Sequence, residues 1–190
     1  MKFIEKIKGL KSRYDECVCS IEGNAILYDL QSSSPPIATH IVFLPMPTNI
    51  KNSMIYNYKL IFPNDLLDLY NHMNGADLFW TTCLIGKSNR RIPICRFSLY
   101  GIPLTDDRKY IEPYNISVED LGRPKGTPCN WLKFGSFYFP DDLFRRIMLF
   151  VDVESLKVFA VDEEKTECSI VDSWDSVDEC LCSVFDMLDC

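Results

Sequence analysis

The stretch LLDLYNHMNGADLFW, Leu66 to Trp80, changes its apolar period halfway along, and that change decides the fold. Up to Met73, the residues Leu66, Tyr70 and Met73 recur at i, i+4 and i+7, and Leu67 and Leu69 widen the stripe, which predicts a helix lying against a core. Pro63-Asn64-Asp65 opens it, with Asn64 in the N-cap position and Asp65 and Asp68 near the positive end of the helix dipole. Gly75 suits the C-terminal turn because it enters the left-handed conformation without a Cβ penalty, so Asn74-Gly75 has a sufficient structural reason. Beyond it, DLFWTTCLI (77–85) is rich in aromatic and β-branched residues and reads as a strand.

The same strand character returns in ICRFSLYGI (94–102), after an exposed basic turn GKSNRR (86–91). Residues 106–128, with Asp106-Asp107 and three prolines, read as a long surface loop. WLKFGSFYF (131–139) then precedes RIMLFVDV (146–153) and LKVFAVD (156–162), which flank Glu154-Ser155 as a hairpin with a largely apolar central strand. CSIVD (168–172) adds a short strand. Ser176-Val177-Asp178-Glu179 has the capping-box form, followed by Cys180, Leu181, Val184, Phe185 and Leu188 at helical offsets. At the other end, Phe3, Ile4, Ile7 and Leu10 alternate with lysines, predicting a short helix with a basic outer face, although Gly9 works against it. QSSSPPIATHIVFLPMPT (31–48), with four prolines, predicts a connecting region with little regular structure around one apolar run fit for an edge strand. The order helix, helix, strands, helix predicts an α+β single domain with a mainly antiparallel sheet, residues 1–60 forming an extension packed on a domain of 61–190.

At 190 residues the chain suits one domain, and no uncharged apolar run approaches the ~20 residues of a membrane span. Lysines and a glutamate interrupt the first residues and no apolar signal region follows, which predicts a cytoplasmic protein. Nine cysteines, an odd number, read as reduced and mostly buried thiols rather than a disulfide framework. The net charge of −7 is uneven: residues 151–190 hold twelve Asp or Glu against two Lys, while 51–100 hold six Lys or Arg against three Asp. An acidic pole repels phosphate backbones, disfavouring nucleic acid, and steers a basic protein partner, or else it is a solvated surface that aids solubility.

Chemistry-bearing motifs are sparse. Cys17-x-Cys19 and Cys180-x-Cys182 form no pair of zinc knuckles, and His40 and His72 stand 32 positions apart, so neither a metal nor a cofactor is expected. The best nucleophilic set is Cys83 or Cys95 with His72 and Asp77, weighed against ordinary structural roles for each. No nucleophile elbow, phosphate loop or dinucleotide fingerprint occurs. The pairs Asp106-Asp107, Asp141-Asp142 and Glu163-Glu164 read as solvated turns. Trp80, Tyr100, Trp131, Phe137, Tyr138 and Phe139 are either a stacking wall, a binding hot spot or core.

The succession FPNDLLDLYNHMNG, LYGIPL, NWLKFG, RIMLFVDVESLKVFAVDEE, VDSW and a terminal amphipathic helix, spanning roughly 61–188, resembles the SUKH superfamily, the Smi/Knr-like proteins. The resemblance implies a sheet of about six strands backed by helices and a role in binding without catalysis. Bacterial members look like immunity proteins that neutralise a cognate toxin, and fungal members act as regulatory modules. The first ~60 residues and the loop GRPKGTP (122–128) depart from the compact family form. The resulting expectation is an immunity protein whose acidic, aromatic-bearing face occludes a basic toxin such as a nuclease. Asp77, Trp80, Asp141, Asp142, Glu163 and Glu164 are its expected contact residues, exposed near the Asn-Gly junction and along the acidic half. A regulatory interaction module and a thiol-dependent hydrolase are the alternatives.

Overall fold

The two apolar runs flanking Glu154-Ser155 pair as expected, and the strands on either side extend the same ladder. The computed structural model describes residues 1–18, 25–29, 38–57, 62–85, 90–102, 123–139 and 141–189. Among them, nine strands hydrogen-bond in chain order, each antiparallel to the next: β1 (Asp15–Val18), β2 (Ala25–Asp29), β3 (Ala38–Phe43), β4 (Ala76–Ile85), β5 (Arg90–Leu99), β6 (Trp131–Phe139), β7 (Asp142–Asp152), β8 (Val158–Asp162) and β9 (Ile170–Trp174). Helices α1 (Lys2–Leu10), α2 (Thr48–Asn57), α3 (Asn64–His72) and α4 (Val177–Leu188) complete an α+β fold. No helix among the described residues is long and apolar enough to cross a membrane.

The sheet exceeds the expected six strands because the first 60 residues contribute three. The apolar run of the Pro/Ser segment is not an edge: β3 lies between β2 and β4, with His40 opposite Leu78 and Val42 opposite Ala76. Pro45 and Pro47 fall after β3, where they remove no ladder N–H, so the prolines bound the strand rather than exclude it. Residues 30–37, 86–89 and 103–122, on which parts of the expected linker, basic turn and long loop fall, lie outside the described residues.

One face of the sheet receives the helices. Phe3 of α1 meets Phe97 and Phe185 edge-on at centroid distances of 6.3 and 6.1 Å, joining α1, β5 and α4 in one core. Asp178 of α4 accepts the N–H groups of Lys2 and Phe3 at 2.9 Å each, supplying the start of α1 with a cap from the far end of the chain. At α4 itself, Ser176 accepts the Glu179 N–H at 3.1 Å, and the Glu179 carboxylate reaches back to Asp175 N–H, one residue before the cap. The other face carries Trp131, Met148, Phe150 and Val161, with Trp131 stacked on Phe159 at 4.2 Å. Residues 123–131 cover this patch: Arg123 sits over the Phe150 ring at 5.6 Å, and Lys125 pairs with Glu167 in a short parallel bridge. The central strands are therefore apolar on both faces, which explains their near-continuous hydrophobic runs.

The quoted helix and turn differ in detail from expectation. The helix begins at Asn64 after Pro63, so Asn64 occupies its first turn rather than capping it. Met73 is already extended, and Gly75, at φ 101°, makes the left-handed step into β4. Asn74 is buried and its amide donates to Ile102 C=O at 3.0 Å and accepts Ile102 N–H at 2.9 Å, as a neighbouring strand would. The junction is an interior joint, not an exposed surface.

Candidate binding cleft

Strand pleating turns one set of side chains to the helices and the other to the opposite face, where, beside the apolar patch of Trp131, Met148 and Phe150, a polar row runs across β4 to β7. Asp77 stands opposite Ser98, Ser98 opposite Ser136, and Tyr138 opposite Arg146. Two local irregularities assemble this row. Phe79 adopts a left-handed φ of 58° and turns its ring to His40 and Phe185 on the helical side, so Trp80 emerges on the polar side. The register shift between Lys133 and Gly135 lets Phe134 and Phe137 both join the helix-side core while Ser136 faces the polar row. Gly135 is required there, since a Cβ would meet the Ser98 carbonyl oxygen at 2.9 Å.

The row floors a cleft of about 210 Å³. Trp80, Ile94 and Tyr138 form its walls, with Cys95, Ser98, Ser136 and Arg146 below and beside them. The Arg146 guanidinium is fixed in place: Nε donates to Ser136 Oγ at 3.2 Å, Nη2 to the Tyr100 hydroxyl at 2.8 Å, and Nη1 faces the Glu163 carboxylate at 3.5 Å. Tyr100 also donates to Ser136 Oγ at 3.2 Å, closing a small network in which a cation is held by two hydroxyls.

Electrostatically the cleft has two halves. Around Arg146, Lys133 lies 5.5 Å over the Tyr100 ring, and burial first, then the charges of Arg146 and Arg123, push its ammonium below the usual lysine range, with Glu163 opposing. Beside it, burial pushes the Asp77 carboxyl up, partly offset by the Ser98 hydroxyl and the Cys95 thiol, while Asp77 Oδ1 meets no donor among the described residues. Cys95 is pushed well up, by burial first and then by Asp77, and its thiol is directed at carbonyl oxygens of Leu78 and Phe97. Trp80 Nε1 is likewise buried without an acceptor among the described residues.

Of the expected contact residues, Trp80 lines the cleft. Asp77 is buried behind two of the lining residues, Ser98 and Cys95, not exposed. Asp141 and Asp142 lie in the exposed β6–β7 turn. Glu163 is half-buried against Arg146, and Glu164 is exposed in the β8–β9 turn. Because Ile147 pairs with Asp162, these two turns share one rim of the sheet. The nucleophilic set does not assemble: Cys95 joins Asp77, but His72 is exposed at the end of α3 on the helical side, and the Cys83 side chain lies outside the described residues. Among the aromatics, Trp131 and Phe137 are core, Phe139 packs against the core, and Tyr138 is a cleft wall. Five described cysteines are free thiols, of which only Cys180 is fully buried and Cys129 is exposed, fewer buried than expected. No group of three or more His, Cys, Asp or Glu placed to hold a metal occurs among the described residues. Residue reading missed Ser98, Tyr100, Ser136 and Arg146 as one unit, although two serines inside aromatic-rich strands were a visible signal.

Fold and site together define an α+β domain built on an antiparallel meander, with helices on one face and a polar cleft on the other. In comparisons with protein-family models, with curated proteins and with solved structures, the chain has no significant match.

Proposed function

We propose that this chain is a non-enzymatic, cytoplasmic binding protein of the immunity type, neutralising a cognate toxin by docking on the rim where the β6–β7 and β8–β9 turns meet. The observation that carries the reading is the placement of Asp141, Asp142 and Glu164, exposed together on the rim, with Glu163 half-buried beside them and the cleft of Trp80 and Tyr138 adjoining. Acidic side chains exposed at that end of the sheet steer a basic protein surface, and rigid aromatics of the adjoining cleft supply buried area at low entropic cost. The SUKH-like order of motifs points the same way. The Cys95 thiol, pushed up by burial and by Asp77, is a poor nucleophile, which weighs against the hydrolase alternative.

The test is coexpression with the product of the adjacent reading frame. Copurification and rescue of growth are the expected results, and neither occurring would remove the proposal. In the complex, combining Asp141→Asn, Asp142→Asn and Glu164→Gln should slow association and flatten its salt dependence. Unchanged association with all three neutralised would reject the rim as the docking site.

A further inference from the structure

We propose that the cleft between Trp80, Tyr138 and Arg146 is a binding site for a small carboxylic acid, whose carboxylate takes the place of Glu163 at the Arg146 guanidinium. The inference does not depend on the immunity reading. It begins with charge: in a protein of net charge −7, the helix-free face of β6 and β7 gathers Lys133 and Arg146, with Arg123 close enough to act on Lys133, and Glu163 faces Arg146 at 3.5 Å, while the Asp77 carboxyl behind Ser98 and Cys95 is pushed up by burial. Arg146 cannot turn away from the cleft without giving up Ser136 and the Tyr100 hydroxyl, so the cation is preorganised. Its contact with Glu163 is the loosest of its polar contacts described above, at 3.5 Å between half-exposed partners, and is the one an incoming acid displaces at least cost.

The walls favour a flat organic acid over a bare inorganic anion. Trp80, Tyr138 and Ile94 offer apolar and aromatic surface, and a cleft of about 210 Å³ is below the ~300 Å³ at which drug-sized ligands begin to fit. The Trp80 ring lines the cleft, and its indole N–H is buried without an acceptor among the described residues, so its resonance is a sensitive reporter of what enters. Ser98 and Ser136 add hydroxyls at the floor.

The experiment follows the indole N–H resonance of Trp80 in ¹⁵N spectra of the full chain, assigned with Trp80→Phe, during titration with benzoate, with its neutral counterpart benzamide and with inorganic phosphate. Benzoate should shift the resonance saturably, with Kd on the order of 1 mM for so small a ligand, and benzamide should not. Glu163→Gln, at a half-exposed position, should tighten benzoate binding about three- to fivefold by removing the competing carboxylate. Arg146→Met should abolish it. An unmoved indole resonance, equal shifts with benzamide, saturation by phosphate alone, or weaker benzoate binding by Glu163→Gln would each overturn the assignment, and the Glu163 variant decides the matter even if Arg146→Met fails to fold.

Discussion

Acid should unfold this protein through one histidine. His40 is buried in β3, its Nδ1 accepts the Phe79 N–H at 3.2 Å, and the rings of Tyr14 and Phe79 close on it edge-on at 4.8 and 4.9 Å. Burial first, and the Arg13 guanidinium second, hold its pKa down from 6.5 to about 4, against a smaller opposing pull from Asp189. The folded state therefore keeps the ring neutral while the unfolded chain binds a proton from about pH 6.5 downward. The contribution is present in full above pH 6.5 and is lost as pH falls from there to about 4, where the folded state protonates too. A shift of this size corresponds to roughly 3 kcal/mol, of which about 2.5 kcal/mol is gone by pH 4.5. Urea denaturation of the wild type and of His40→Asn between pH 7.5 and 4.5 measures it. Asparagine offers an oxygen near the Nδ1 position and does not titrate, and the acid response of the carboxylates cancels in the difference between the two proteins. The variant should be the less stable protein at pH 7.5 and close the gap by about 2.5 kcal/mol at pH 4.5. Parallel stability curves across that range would refute the burial argument.

Three further outcomes test the fold that carries the cleft. Asn74→Ala should cost about 2–4 kcal/mol in urea denaturation, because it leaves both the N–H and the C=O of Ile102 buried without their partner. Gly135→Ala should cost about 1–3 kcal/mol and broaden the amide signals of β5 and β6, since the added Cβ would press on a backbone oxygen rather than on a flexible side chain. Asp178→Ala should cost about 1–2 kcal/mol and raise hydrogen exchange selectively in the first turn of α1, whose N–H groups it caps.

What the sequence revealed follows from how local each signal is. The β7–β8 hairpin and α4 were legible because a turn, a cap and an apolar period all point to the same element within a few residues. β2 was not, and β3 was legible only as an edge strand, because AILYD and ATHIVF are five or six residues long beside a proline-rich stretch, and pairing with their neighbours is what places them inside the sheet. α2 has a weak apolar stripe and no charged end, so nothing in its residues announced it. For the cleft, Asp77 and Trp80 were noticed, but plain alternation puts them on opposite faces of β4. The left-handed Phe79 between them brings both to one side, and a positive φ at phenylalanine cannot be read from residue order. Arg146 stands at the head of an apolar run, its role visible only once Tyr100, 46 positions away, supplies the hydroxyl that holds it.

The acidic C-terminal end needs a different account from the one its composition suggests. Asp186 meets Lys6 at 2.6 Å, Asp189 meets Arg13 at 2.9 Å, and Asp178 caps α1, so part of the C-terminal negative charge answers the basic face of the N-terminal helix. Asp162 and Glu163 are engaged by Arg145 and Arg146. Part of the uneven charge along the chain is thus a complementarity between its two ends, folded into one structure. Pairs as exposed as Lys6 with Asp186 are worth at most about 1 kcal/mol, so they orient α1 on α4 while the Phe3 contacts with Phe97 and Phe185 hold it there. A partner drawn by negative charge consequently meets much less than twelve carboxylates. It meets the ones that the fold leaves at the surface, and the cluster at the rim beside the cleft is where they coincide with aromatic side chains.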